Sequence, residues 1–91
     1  KSDLCESEKM VEEIFDIAIK IDIDVTAVQF IEIILELEEY IYWFNTSNVE
    51  WDEHYIYIEA QYRKSDEKDL FKYLGEKEHV QIDYSTMADW L

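Results

Sequence analysis

ESEKMVEEIFDIAIKI, residues 6–21, is the stretch on which the fold class turns. At about 100° per residue, Met10, Ile14, Ile17, Ala18 and Ile21 gather on one side, the spacing of an amphipathic helix from Glu6 to about Ile21. Ser7 is placed to cap it, with Glu8 in its first turn. A short connector, Asp22–Asp24, follows. A second helix is predicted from about Val25 to Glu39 or as far as Phe44, its end left open by the strand-like residues Tyr40–Phe44; Asp24 or Thr26 can cap it, and Thr26 with Gln29 fits a capping box. Ala27, Phe30, Ile31, Ile34, Leu37 and Ile41 form its core face. Val28, Ile33, Leu35 and Tyr42 widen that face, which suggests a central helix packed on several sides.

Strand signals come next. From His54 to Arg63, His54, Ile56, Ile58, Ala60 and Tyr62 alternate with Tyr55, Tyr57, Glu59 and Gln61. Val49–Glu53 either starts this strand or pairs with it. Ser65 is placed to cap a third helix, Asp66 to Leu74, stopped by Gly75. His79–Tyr84 reads as a second strand, and a short helix from Ser85 or Thr86 closes the chain. The expectation is one acidic α+β domain over residues 1–91: two N-terminal helices packed on a small antiparallel sheet, in the order α-α-β-α-β-α.

Composition narrows the function. The 91 residues carry 23 acids against 8 lysines and arginines, a formal net charge of −15. They are also 48% hydrophobic and 15% aromatic, too apolar for a disordered acidic tail. The charge is uneven: residues 1–62 hold sixteen acids and three bases, residues 63–91 seven acids and five bases. Such a field repels nucleic acid and anionic membrane and attracts basic proteins. The polar Lys1–Glu8 does not fit a signal peptide, and no run of about 18 apolar residues occurs. With the lone Cys5, the expected location is the cytoplasm, and twelve Ile, seven Lys, one Gly, one Arg and no Pro suggest the A/T-rich genome of a bacterial or archaeal host.

The sequence offers no catalytic, cofactor or metal apparatus. His54 and His79 lack zinc-ligand spacing. A calcium loop begun at Asp22 would need Gly and Glu where Ala27 and Ile33 stand. The single glycine leaves no phosphate-binding loop. A binding protein, not an enzyme, is expected.

Two surfaces are candidates for that binding. The first is a pair of acidic stripes: Glu8, Glu12 and Asp16 on helix one, and Glu32, Glu36 and Glu39 on helix two, which holds no Lys or Arg. Like charges at these spacings cost a few tenths of a kcal/mol per pair in an isolated helix, and they predict raised carboxyl pKa values. Successive carboxylates about 6 Å apart can imitate a ladder of phosphates. The second surface is Glu50, Trp51, Asp52 and Glu53 with Tyr55 and Tyr57, aromatic anchors among acids.

In size, charge and layout the chain resembles two groups. One comprises phage- and virus-encoded acidic inhibitors that mimic DNA, anti-restriction and anti-CRISPR proteins among them. The other comprises immunity proteins that plug nuclease toxins. The resemblance implies an acidic face that occupies the cationic channel of a nucleic-acid-binding protein or nuclease. A non-inhibitory adaptor for a basic partner is the remaining alternative, and a homodimer is compatible with each.

Overall fold

The computed structural model describes residues 13–91. It corrects the expected order at its first element. Residues Ile14–Asp22 form a nine-residue strand, β1, and not the end of a helix. Residues 6–12 of the expected helix lie outside the described residues. The order is β-α-β-β-β-α-β-α, with α1 at Ala27–Leu37, β2 at Trp43–Phe44, β3 at Glu50–Trp51, β4 at Tyr55–Arg63, α2 at Glu67–Glu76, β5 at Val80–Ile82 and α3 at Tyr84–Asp89.

The reason lies in Ile17, Ile19 and Ile21, which alternate with Ala18, Lys20 and Asp22. That is a period of two carried by β-branched residues, which lose rotamer freedom in helices and pack well on a pleated surface. A helix would turn Ile19 away from Ile14 and Ala18. In the sheet, Ile17, Ile19 and Ile21 share one face and all are fully buried. The helical appearance came from Ala18, an apolar residue on the opposite face that is also buried.

β1 is an inner strand of an antiparallel sheet ordered β2-β4-β1-β5, with β3 also on β4. Its partner β4 sets Ile17 against Ala60, Ile19 against Ile58 and Ile21 against Ile56. On its other side β5 sets Ile19 against Ile82 and Ile21 against Val80. The short strands β2 and β3 divide the outer edge of β4, pairing at Ala60–Gln61 and at Ile56–Tyr57. The alternation predicted for 54–63 matches this register.

Ile33 and Leu37 of α1 and Leu70 and Leu74 of α2 close over the isoleucine face as one core. Each such side chain contributes about 1.5–3 kcal/mol on burial. α3 lies across the opposite face, over Ala18. There the buried Asp83 caps it, accepting from the Thr86 amide at 3.2 Å and the Thr86 hydroxyl at 2.6 Å. The capping box of α1 forms: Thr26 Oγ1 accepts from the Gln29 amide at 3.0 Å, and Gln29 Oε1 accepts from the Thr26 amide at 2.9 Å. A turn at 38–40 ends α1, and the strand-like residues after it become β2.

Two further expectations change. Ser65 sits in a 3-10 turn, Lys64–Asp66, and does not cap α2. Gly75 does not stop that helix, which runs on to Glu76. The left-handed residue at this corner is His79, with φ 73°. It is tied to β1 by its carbonyl, which accepts from the Asp22 amide at 2.9 Å, and by its Nδ1, 3.0 Å from Asp22 Oδ2. A Cβ built on Gly75 meets nothing within 4 Å. Gly75→Ala is therefore expected to raise stability by about 0.4–1 kcal/mol, by narrowing the unfolded ensemble and improving helix propensity. Urea denaturation would show it as a higher midpoint at unchanged slope.

Candidate partner-binding surface

The residues singled out from sequence are distributed over both sides of the sheet. Glu12 lies outside the described residues. Asp16 belongs to β1, on the face that α3 partly covers, and its Oδ1 accepts from Gln61 Nε2 at 3.0 Å. Glu50, Tyr55 and Tyr57 share that face, since Glu50 pairs with Tyr57 and Tyr55 with Asp22. Lys20 stands 4.5 Å above the Tyr55 ring. Glu32 and Glu39 lie beyond the other face, on the exposed side of α1 and in the turn after it. The two acidic stripes expected on neighbouring helices thus do not form one surface: the described residue of the first stripe is on a strand, with the sheet between it and α1.

Asp52 is a turn builder. Its Oδ1 accepts from the His54 amide at 2.7 Å and the Tyr55 amide at 2.8 Å, and its Oδ2 from the Tyr57 hydroxyl at 2.5 Å. These bonds fold the β3–β4 hairpin. The tip leaves Glu53 exposed, 3.8 Å from His54 Nε2, and Trp51 70% exposed. The Tyr57 bond, then the two amides, hold the Asp52 carboxyl down at about 2. The same bond, with desolvation, pushes the Tyr57 phenol up to about 12.

Signs follow for each partner. A depressed Asp52 stabilises the fold above its unfolded pKa of about 3.9, and that contribution is lost as pH falls toward 2. A raised Tyr57 contributes fully below about 10 and is lost as pH rises toward 12. Asp52→Asn should return the Tyr57 titration toward the ordinary phenol range, measured by NMR of its ring carbons.

Glu36 is likewise engaged internally. Tyr73 Oη donates to its Oε1 at 2.7 Å, and Lys77 Nζ lies 3.1 Å from the same oxygen. This clamp joins α1 to α2, with the Tyr40 and Tyr73 rings packed beside it at 5.7 Å. The Tyr73 bond, then Lys77, holds the Glu36 carboxyl below the usual range. Neither Glu36 nor Asp52 therefore follows the expectation that crowding raises carboxyl pKa values; hydrogen bonds outweigh repulsion at both.

The outward side of α1 carries what the sequence reading misplaced. Val28 is 66% exposed, Ile31 56% and Leu35 58%. At i, i+3 and i+7 they form one apolar stripe, and Ile31 is not in the core. Glu32 and Glu39 flank the stripe on one side, and the exposed Glu38 continues its line. Among the described residues no hydrogen bond or ion pair engages the side chains of Glu32, Glu38 or Glu39, and α1 contains no base. The 28/31/35 spacing, with acids four residues after Val28 and Leu35, was the signal available in sequence. It was hidden because nearly every side of this helix is apolar.

The cleft lined by Glu50, Asp52, Glu59, Asp83 and Thr86 holds several carboxylates, but Thr86 satisfies Asp83 and the hairpin satisfies Asp52. No group of three His, Cys, Asp or Glu among the described residues could hold a metal ion, and no described helix is long and apolar enough to cross a membrane. No protein-family model matches the chain, and no curated protein or solved structure is significantly similar to it.

Proposed function

We propose that this protein is a non-catalytic acidic binder that occupies a cationic, nucleic-acid-binding surface of a partner protein. The observation that carries the reading is the outer side of α1, where Glu32, Glu38 and Glu39 are exposed and unengaged among the described residues, with no base on the helix. A surface selected for stability alone would intersperse lysines with these acids. It would also place bases, not acids, at the C-terminal end of the helix, where the carbonyl dipoles are negative. Glu38 and Glu39 stand at that end. The net charge of −15 adds long-range attraction for a basic partner.

Capture from a cell lysate on immobilised protein tests this reading. The retained proteins are expected to bind nucleic acid and to be released by heparin or by salt well above physiological strength, because exposed charges are screened beyond about 8–10 Å near 0.1–0.15 M. Retention that withstands both treatments would contradict the reading.

A further inference from the structure

The exposed stripe on α1 says more about the partner than charge does. Val28, Ile31 and Leu35 stand at the a, d and a positions of a heptad, and the next d position is Glu38. The e position of the same frame is Glu32, and Glu39, in the turn just past the helix end, follows where the next would fall. From Val28 to Leu35 the stripe rises about 10 Å, two turns of helix. It faces solvent while Ile33 and Leu37, on the other side, hold α1 to the sheet. A helix anchored by one face and apolar along the other is shaped to receive a second helix, whose side chains would seat between Val28, Ile31 and Leu35.

We propose that this stripe docks a basic amphipathic helix of the partner protein. The proposal rests on the reading of the protein as an acidic binder and names the element it binds. Charge complementarity selects the occupant. In a parallel pair, e positions face the g positions of the other helix, so Glu32 and Glu39 call for Lys or Arg there. Glu38 in the d line calls for a base at the position it meets. A second copy of this chain fails both ways. A parallel pair would set Glu38 against Glu38, and an antiparallel pair would bring the Glu32 and Glu39 rows together. Like-charge juxtaposition across an interface costs several kcal/mol. The apolar anchors supply affinity and the acidic flank supplies choice of partner, a division common at interfaces.

The test uses the full chain and a designed helical peptide about two heptads long, with lysine at e and g, leucine at a and d, and a lysine in place of leucine at the one d position that meets Glu38. Three comparisons accompany it: a position-scrambled peptide of the same composition, a peptide with glutamate replacing lysine, and the protein variant Ile31→Ser/Leu35→Ser. Fluorescence anisotropy measures binding, sedimentation measures oligomeric state and thermal melting checks the fold. The ordered lysine peptide is expected to bind at least about tenfold more tightly than the other two peptides, and the variant to lose about tenfold while its melting temperature stays within a few degrees. Equal binding of the ordered and scrambled lysine peptides, with no effect of the variant, would overturn the docking proposal and leave the acidic-binder reading standing. Equal binding of the lysine and glutamate peptides would overturn both. A dimer dissolved by Ile31→Ser/Leu35→Ser would make a second copy the occupant. A large fall in the variant's melting temperature would mean that the stripe packs within the chain. Either result would also overturn the proposal.

Discussion

Ile19→Ala is expected to cost about 2–5 kcal/mol of folding stability, read as a lower urea midpoint with little change in slope. Ile19 is fully buried on β1, with Ile58 on one side and Ile82 on the other. Its removal leaves a cavity where both neighbouring strands and the helical layer meet. Domains of this size have only about 5–15 kcal/mol in hand, so the loss is a large share of the total. The result also discriminates between local structures. A helix from Glu6 to Ile21 would turn Ile19 away from Ile14 and Ala18, and truncation there would fall within about 0.5 kcal/mol, as at most surface positions. A change that small would contradict the strand.

How much of this was legible in the sequence differs by element. The capping box at Thr26 and Gln29 specifies the start of α1 through local hydrogen bonds, so it reads directly from residue types. The strand at 55–63 also reads directly, because its two faces meet different surroundings and alternate cleanly. β1 is covered on one face by α1 and α2 and on the other by α3 at Ala18. Its run Ile17-Ala18-Ile19 is therefore apolar on both faces and imitates a helix. Strand pairing over some forty residues, Ile17 to Ala60, is information that local periodicity does not contain. At Gly75 the usual association of glycine with a helix end misled, since the left-handed turn was taken by His79.

The candidate surface was legible in composition and not in direction. Glu32 and Glu39 are exposed, as a charged face requires. Glu36 reads the same in sequence, yet the Tyr73 hydroxyl, from a helix thirty-seven residues away, takes its carboxylate. Asp52 reads as one more acid near a tryptophan, yet three hydrogen bonds make it the hinge of a hairpin. Ile31 reads as core because the helix has more apolar residues than one contact face can cover. Which of them stays outside is decided by where the sheet lies.

The second large effect concerns binding. Glu32→Lys/Glu38→Lys/Glu39→Lys should weaken association with the partner by about 100-fold or more, which is about 2.7 kcal/mol. Each reversal replaces attraction to a cationic surface with repulsion, and the association rate should fall most because steering acts on it. Glu36 is left untouched, since reversing it would break the clamp to Tyr73 and Lys77. Folding should survive and even gain. Lysines at positions 38 and 39 complement the C-terminal end of α1, each worth about 0.3–1 kcal/mol at low salt. Binding and stability therefore move in opposite directions, which separates a lost interface from a damaged fold. Surface plasmon resonance beside thermal melting records both.

The most direct measurement is displacement. A captured partner is loaded with fluorescently labelled nucleic acid, and this protein is titrated in while anisotropy is followed. Displacement to completion near one equivalent, abolished in the Glu32/Glu38/Glu39 reversal and weakened as salt rises, is the predicted result. A partner that binds this protein and retains its nucleic acid undiminished would contradict the claim that the acidic surface occupies a nucleic-acid site.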